Sequence, residues 1–413
     1  MALLKPFKAV RPRKELVKKV QCPPYDVVSF EEARDYGKHH ESFMHVIRAE
    51  IDLPEETPHY GETVYKKAKE NLENLIRDKI LVQDEKPSYY LYKQKMNDHE
   101  QIGLVACASV DEYQQNKIKK HELTRKEKED DRANHVYTVG ANTGPVFLTF
   151  KSQESIETLF KRLVNELEPV YDFVDENSVQ HTVYVINSAE RVKEIRDIFD
   201  NIPELYIADG HHRAASGSRV REKMKEENSY HSGDEEYNYF LSVIFPHNHL
   251  NVLDYNRVVK DLNGLSKNEF LKRIEKNFTI EEVDEIPYAP KDRHEFGMYI
   301  DNQWYLLKPK NGSFDENDPV KSLDVAILQN NLLEPVLGIK NPRSDSRIDF
   351  IGGIRGLKEL ENRIENGWAV AFSMYPTSIE ELMKVADKGM VMPPKSTWFE
   401  PKLRSGLFVH LLK

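Results

Sequence analysis

The sequence predicts a mixed fold, α/β or α+β, with helices and strands interleaved along the whole chain. Between Tyr60 and Ile80, the apolar residues Val64, Ala68, Leu72, Leu75, Ile76 and Ile80 recur at steps of three and four, the period of an amphipathic helix. Alternating Tyr89 and Leu91, then the stretch from Gly103 to Val110, read as strands. At 413 residues, 39% hydrophobic and 31% charged, the chain has material for two or three domains, and its composition excludes collagen-like, low-complexity and disordered classes.

The same periodicities place helices at 155–167, 189–199 and 213–227, and a last one at 322–337 closed by Gly338. Strands are predicted at 181–186, 205–208 and 239–245, and the run from Phe43 to Ile47 is strand-like. Polar, glycine-containing stretches at 228–237 and 311–319 read as loops. No internal repeat is visible. Three regions follow, 1–150, 151–262 and 263–413, with the chemistry shared between them.

Charge narrows the partners. Lys plus Arg number 59 against 69 Asp plus Glu, a formal net charge of -10. Such a chain repels nucleic acid and anionic membrane, so any anion must be held by local geometry. Cys22 and Cys107 are too few for a disulfide framework, and no CxxC pair exists to grip zinc. A reducing, cytoplasmic setting is expected. Lys5 and Lys8 interrupt the apolar residues of the N-terminus, and runs such as 369–374 fall far short of the ~20 residues that span a bilayer. Small molecules are the expected partners.

The most informative stretch is Leu205-Tyr-Ile-Ala-Asp-Gly-His-His-Arg-Ala-Ala-Ser216, an apolar strand that stops at Asp209-Gly210 and becomes a helix by Arg213. A strand, a glycine turn and a helix start bring free backbone N–H groups and the positive end of the helix dipole to one point, which suits a phosphate. His211, His212 and Arg213 add positively disposed side chains there, and Asp209 supplies one carboxylate. Zinc chelation by the histidine pair is disfavoured, because neighbours on a helix diverge by about 100°.

A second constellation is Lys119-Lys-His-Glu-Leu-Thr-Arg-Lys-Glu-Lys-Glu-Asp-Asp-Arg132, in which Leu123 is the one large apolar residue. As a helix it would align His121, Arg125, Lys128 and Arg132 on one face. Arg125, with His121 and Thr124 beside it, is the candidate for holding a polyphosphate. Towards the C-terminus, Gly389-Met-Val-Met-Pro-Pro-Lys-Ser396 misses the P-loop pattern because Pro394 stands where a glycine is required. Lys395 and Lys402 remain as point charges for an anion, with Trp398 and Phe399 as pocket walls. Gly352-Gly-Ile-Arg-Gly356 reads as a turn, leaving Arg347 and Arg355 as minor anion candidates.

The stretch Ala208-Asp-Gly-His-His-Arg-Ala-Ala-Ser216 resembles the phosphate-binding box of the ParB/sulfiredoxin superfamily, whose free serine kinases carry a similar Asp-Gly-His-x-Arg. Together with Cys22-Pro-Pro-Tyr-Asp-Val27, Lys120-His-Glu-Leu-Thr-Arg125 and Met392-Pro-Pro-Lys-Ser-Thr-Trp-Phe399, it resembles the DUF1015 family over essentially the whole chain. The resemblance implies a ParB/sulfiredoxin-like mixed core with large insertions and a C-terminal α+β region. It also implies phosphorylation of free L-serine, with inorganic pyrophosphate as co-substrate, in serine and cysteine metabolism. His211 stands where sulfiredoxin chemistry needs a cysteine, which argues against sulfinic acid reduction.

Serine's hydroxyl must lose a proton as it attacks phosphorus, so a carboxylate is wanted within reach. Asp209, Glu50 and Asp26 are the candidates, while Gly210, His211, His212 and Arg213 would hold the donor. Mg2+ is expected on charge grounds. An ATP-dependent free serine kinase and a ParB-like nucleotide-binding regulator without transfer activity are the alternatives.

Overall fold

The computed structural model describes residues 3–413. The chain divides into two units, one reaching to Leu250 and completed by Pro401–Lys413, the other Asn251–Glu400. This differs from the division at residues 150 and 262. One sheet draws strands from both sides of residue 150, and the final segment rejoins the first unit.

That sheet has nine strands and is mixed. Leu205–Asp209 lies parallel to Ile118–Lys119 on one side and antiparallel to Val146–Phe150 on the other. Val146–Phe150 runs parallel to Tyr239–Pro246, and antiparallel pairings continue through His99–Ser109, Tyr89–Met96, Gln180–Ile186 and Tyr171–Val174. Leu104, Leu148, Ile207, Phe240 and Ile244 face a core completed by Leu159 and Phe160 of helix Glu154–Glu166. Each such side chain contributes about 1.5–3 kcal/mol on burial.

Helix His211–Glu227 is covered on most sides along its first turns, where the small residues Ala214, Ala215, Ser216 and Gly217 are all buried and let its neighbours approach closely. A Cβ on Gly217 would come within 3.3 Å of the Phe240 side chain. Helix Lys126–Val139 lies against it and against the amphipathic helix Glu62–Arg77. The tail returns through Cys22 with Ser405, Val10 with Val409, and His410–Leu411 with Ala141–Asn142. Buried Leu407, Phe408, Val409 and Leu412 anchor it.

The second unit is an antiparallel sheet of six strands, in the order Phe278–Glu282, Gln303–Pro309, Phe296–Ile300, Val370–Met374, Tyr255–Val259 and Ile348–Gly352. Among the described residues no helix is long and apolar enough to cross a membrane.

The mixed α/β class stands, and three local expectations change. Met44–Ile47 is helical, not a strand: its residues are packed from several sides, and a short apolar run carries no period that separates the two. The helix of the charged run begins at Lys126, so His121 precedes it and the four-residue basic face does not form. The helix expected at 322–337 is Asp324–Leu328, continued by a π-type turn Gln329–Leu333.

Candidate functional site

The register of strand Leu205–Asp209 shifts between Ile207 and Asp209, bending its end out of the ladder. Gly210 follows at φ 92°, ψ 30°, a left-handed conformation that costs other residues about 1–2 kcal/mol. Helix His211–Glu227 starts at once, and Ala214 N–H reaches the Gly210 carbonyl at 3.0 Å. The N–H groups of residues 211–213 therefore precede the helix's own ladder and stand at its positive end. Asp209 Oδ1 accepts the Gly210 N–H at 2.7 Å, and Oδ2 lies 3.4 Å from Lys402 Nζ. Burial alone would push this carboxyl up, but Lys402, Arg213 and the Gly210 N–H outweigh it and hold Asp209 well below the usual carboxylate range.

The two histidines do not supply positive charge. Burial pushes His211 well below its ordinary value, with His121 beside it acting the same way, and His212 is lowered by burial and Arg125. Each instead accepts a backbone N–H: His211 Nε2 from His121 at 3.5 Å and His212 Nε2 from Arg125 at 3.1 Å. Diverging by one helical step, the pair clamps two points of the loop at 120–125. His211 thus carries its proton on Nδ1, 3.9 Å from Glu122 Oε2. His121 packs edge-on against His211 at 4.3 Å and is itself lowered to about 4 by burial. The cations at the turn are Arg213 and Lys402.

Arg213 donates through Nη1 to the Pro145 carbonyl, and Nη2 lies 3.6 Å from Asp26 Oδ2. Its Nε is buried and, among the described residues, has no hydrogen-bond partner. Burial works against its charge, while Asp26 and Asp209 raise its affinity for the proton, so it stays cationic. Asp26 is thereby brought to the turn. Glu50 is not: it pairs with Arg48, whose Nη1 donates to the carbonyls of Tyr25 at 3.1 Å and Val28 at 3.0 Å. Glu50 is one step removed, supporting the loop that carries Asp26.

Arg125 is exposed, at the extended residue before its helix. Thr124 Oγ1 donates to Glu129. Lys395 belongs to the second unit, where its carbonyl accepts from Arg257 Nη2 at 2.9 Å and its Nζ lies 5.5 Å from the Tyr255 ring centroid. Trp398 also belongs there, packed over Gly352. Arg347 pairs with Asp345. Among the described residues no group of three or more His, Cys, Asp or Glu side chains gathers to hold a metal.

Beside Arg213 is a narrow cavity walled by Tyr25, Arg132, Thr143, Gly144 and Ser405, with free space for about two water molecules. Glu122 and the segment Asn142–Pro145 are parts of this neighbourhood that residue types alone did not mark. The Gly-Pro breaker before strand Val146–Phe150 was the available signal for the latter. The arrangement combines a helix N-terminus, two fixed cations and several carboxylates, a set suited to holding and aligning a phosphoryl group.

The DUF1015 family, described as protein of unknown function, matches residues 4–326 by its sequence profile. No curated protein matches the chain. Among solved structures, similarity is found to a free serine kinase in complex with AMP, at 16% identity and a TM-score of 0.36, covering 71% of this chain and 86% of that one. A conserved hypothetical protein from Pyrococcus furiosus is 16% identical, with a TM-score of 0.36 and coverage of 74% and 95%. SbnI with C-terminal truncation from Staphylococcus aureus is 12% identical, with a TM-score of 0.34 and coverage of 74% and 87%. Since the profile spans most of the sequence and includes three of its four motifs, the chain belongs to the DUF1015 family.

Proposed function

We propose that this protein transfers a phosphoryl group from inorganic pyrophosphate to the hydroxyl of free L-serine, giving O-phospho-L-serine and orthophosphate. The observation that carries the reading is the turn at Gly210, where a helix N-terminus, Arg213 and Lys402 converge. Donor and acceptor identities rest on the four motifs and their resemblance to DUF1015 proteins and free serine kinases.

In this reading the serine oxygen bonds to the near phosphorus, the bridging P–O bond breaks, and orthophosphate leaves. The N–H groups of residues 211–213, Arg213 and Lys402 neutralise charge on the donor, with Arg125 at the rim. Asp209 is too strongly held in its ionised form to be an efficient proton acceptor, and serves instead to fix Lys402 and the turn. Glu122, facing the neutral ring of His211, takes the hydroxyl proton, and Asp26 orients Arg213. Mg2+, when bound, would supply further charge neutralisation on the donor and would be held chiefly through the donor's own oxygens, since among the described residues no cluster of carboxylates gathers to hold it.

Incubation with serine, Mg2+ and either pyrophosphate or ATP, followed by detection of O-phosphoserine, tests this. Product with pyrophosphate supports the reading. Product with ATP alone transfers the donor role to a nucleotide, and no product with either rejects the kinase.

A further inference from the structure

The reaction proposed above leaves one feature of the first unit unused: a second buried guanidinium on the cavity beside Arg213. Arg132 is 9% exposed and leaves helix Lys126–Val139 towards the Pro-Pro-Tyr-Asp loop. Asp131 takes its Nε at 2.7 Å and its Nη2 at 2.6 Å, and Asp131 also accepts from Tyr65 Oη at 2.9 Å. The guanidinium carbon lies 4.2 Å from the Tyr25 ring centroid. Asp131 thus engages Nε and Nη2 of Arg132 and leaves Nη1 outside that pair, while Arg213 Nε is buried and, among the described residues, has no hydrogen-bond partner. Two guanidiniums thus line one small cavity, each with donor capacity to spare.

A structural arginine normally spends its donors, because a buried N–H without a partner costs free energy. The charges also constrain the guest. Asp131 offsets Arg132 and Asp26 offsets Arg213, so the cavity has donors to give but little net positive charge. The space is small, and Val136, Val146 and Phe240 make part of the wall apolar. A multiply charged pyrophosphate fits this poorly. A planar, singly charged carboxylate fits it, since guanidinium forks match carboxylate geometry.

We propose that Arg132 holds the α-carboxylate of the amino acid acceptor on the cavity beside Arg213, and that Arg132 is a specificity-determining residue for free amino acids over simple amino alcohols. The assignment rests on the serine-kinase reading for the identity of the acceptor. It differs from it in predicting a binding preference that exists without turnover.

The test is calorimetric binding of three probes, serine, ethanolamine and pyrophosphate, to the full chain and to two variants. Ethanolamine keeps the hydroxyl and the amine and lacks the carboxylate. The wild type should bind serine at least about 100-fold more tightly than ethanolamine. Arg132→Lys, which keeps the charge and loses the fork, should weaken serine about tenfold or more while ethanolamine and pyrophosphate stay within about twofold. Should Arg132→Lys fold poorly, the paired replacement R132M with D131N removes both charges together and should abolish the discrimination. Serine affinity unchanged in a folded variant would overturn the subsite, as would an equal loss for pyrophosphate or a wild type that does not discriminate. Phosphoserine formation, measured separately, reports on the kinase reading: serine binding through Arg132 without product would leave the subsite standing and the reaction refuted.

Discussion

Arg213 in the first unit and Arg257 in the second are both guanidiniums withdrawn from water, and their surroundings differ in kind. Arg213 has carboxylates near it, Asp26 and Asp209, which keep its proton bound more tightly than usual despite burial. Arg257 donates to two backbone carbonyls, Tyr255 and Lys395, and burial lowers it to about 10. Lys395 sits at φ 58°, left-handed for a residue with a side chain, and the Arg257 contact is one of the bonds that pin its segment. Both motifs carry basic residues beside a turn. At Gly210 the cation is set among charges that an anion can exchange with, whereas Arg257 closes hydrogen bonds of the backbone.

The largest expected effect is on Arg213. Arg213→Ala should lower kcat/KM for phosphoserine formation by about 10²–10³-fold, the scale of losing one charge-stabilising donor. Arg257→Met should instead lower stability by about 1–3 kcal/mol, because two buried carbonyls lose a donor, with pyrophosphate affinity within about twofold of wild type. Denaturant melts alongside binding titrations check both; a similar loss of binding in the two variants would erase the contrast.

The buried ionisable groups of the two units respond oppositely to pH. His121 is kept neutral in the fold at about 4, below the unfolded value near 6.5, so the unfolded chain takes up the proton first as pH falls. The stability it contributes is complete above about 6.5 and is lost towards pH 4, about 2 kcal/mol of it by pH 5. His121→Gln should flatten the fall in denaturation midpoint between pH 7.5 and 5. In the second unit, burial raises Asp324 to about 7 although the His294 N–H works against this. Its folded value lies above the unfolded one, so it costs stability as pH rises from about 4 through 7. Asp324→Asn should therefore raise the denaturation midpoint at pH 8, a gain that disappears at pH 4.

The turn at Gly210 was legible because an apolar strand, a glycine and a helix start specify a backbone without help from distant residues. The charge state of His211 and His212 was not, because it depends on the loop that covers them, and that loop is placed by the clamp the histidines themselves form. Glu50 was chosen for its chemistry; its role is decided by Arg48 and the carbonyls of Tyr25 and Val28. Lys402 reaches Asp209 only because the tail comes back across the first unit, a long-range pairing that periodicity does not encode. For the run after Lys119, helical spacing failed because Arg125 is extended and its N–H is already taken by His212.

In the proposed reaction the turn between Asp209 and Arg213 holds a phosphate-bearing donor. Calorimetric titration of the full chain with pyrophosphate and Mg2+, beside Arg213→Ala and Lys402→Ala, tests it most directly. Saturable binding by the wild type is expected, weakened by more than tenfold in Arg213→Ala and by a smaller factor in Lys402→Ala. Pyrophosphate affinity that is the same in all three proteins would contradict it.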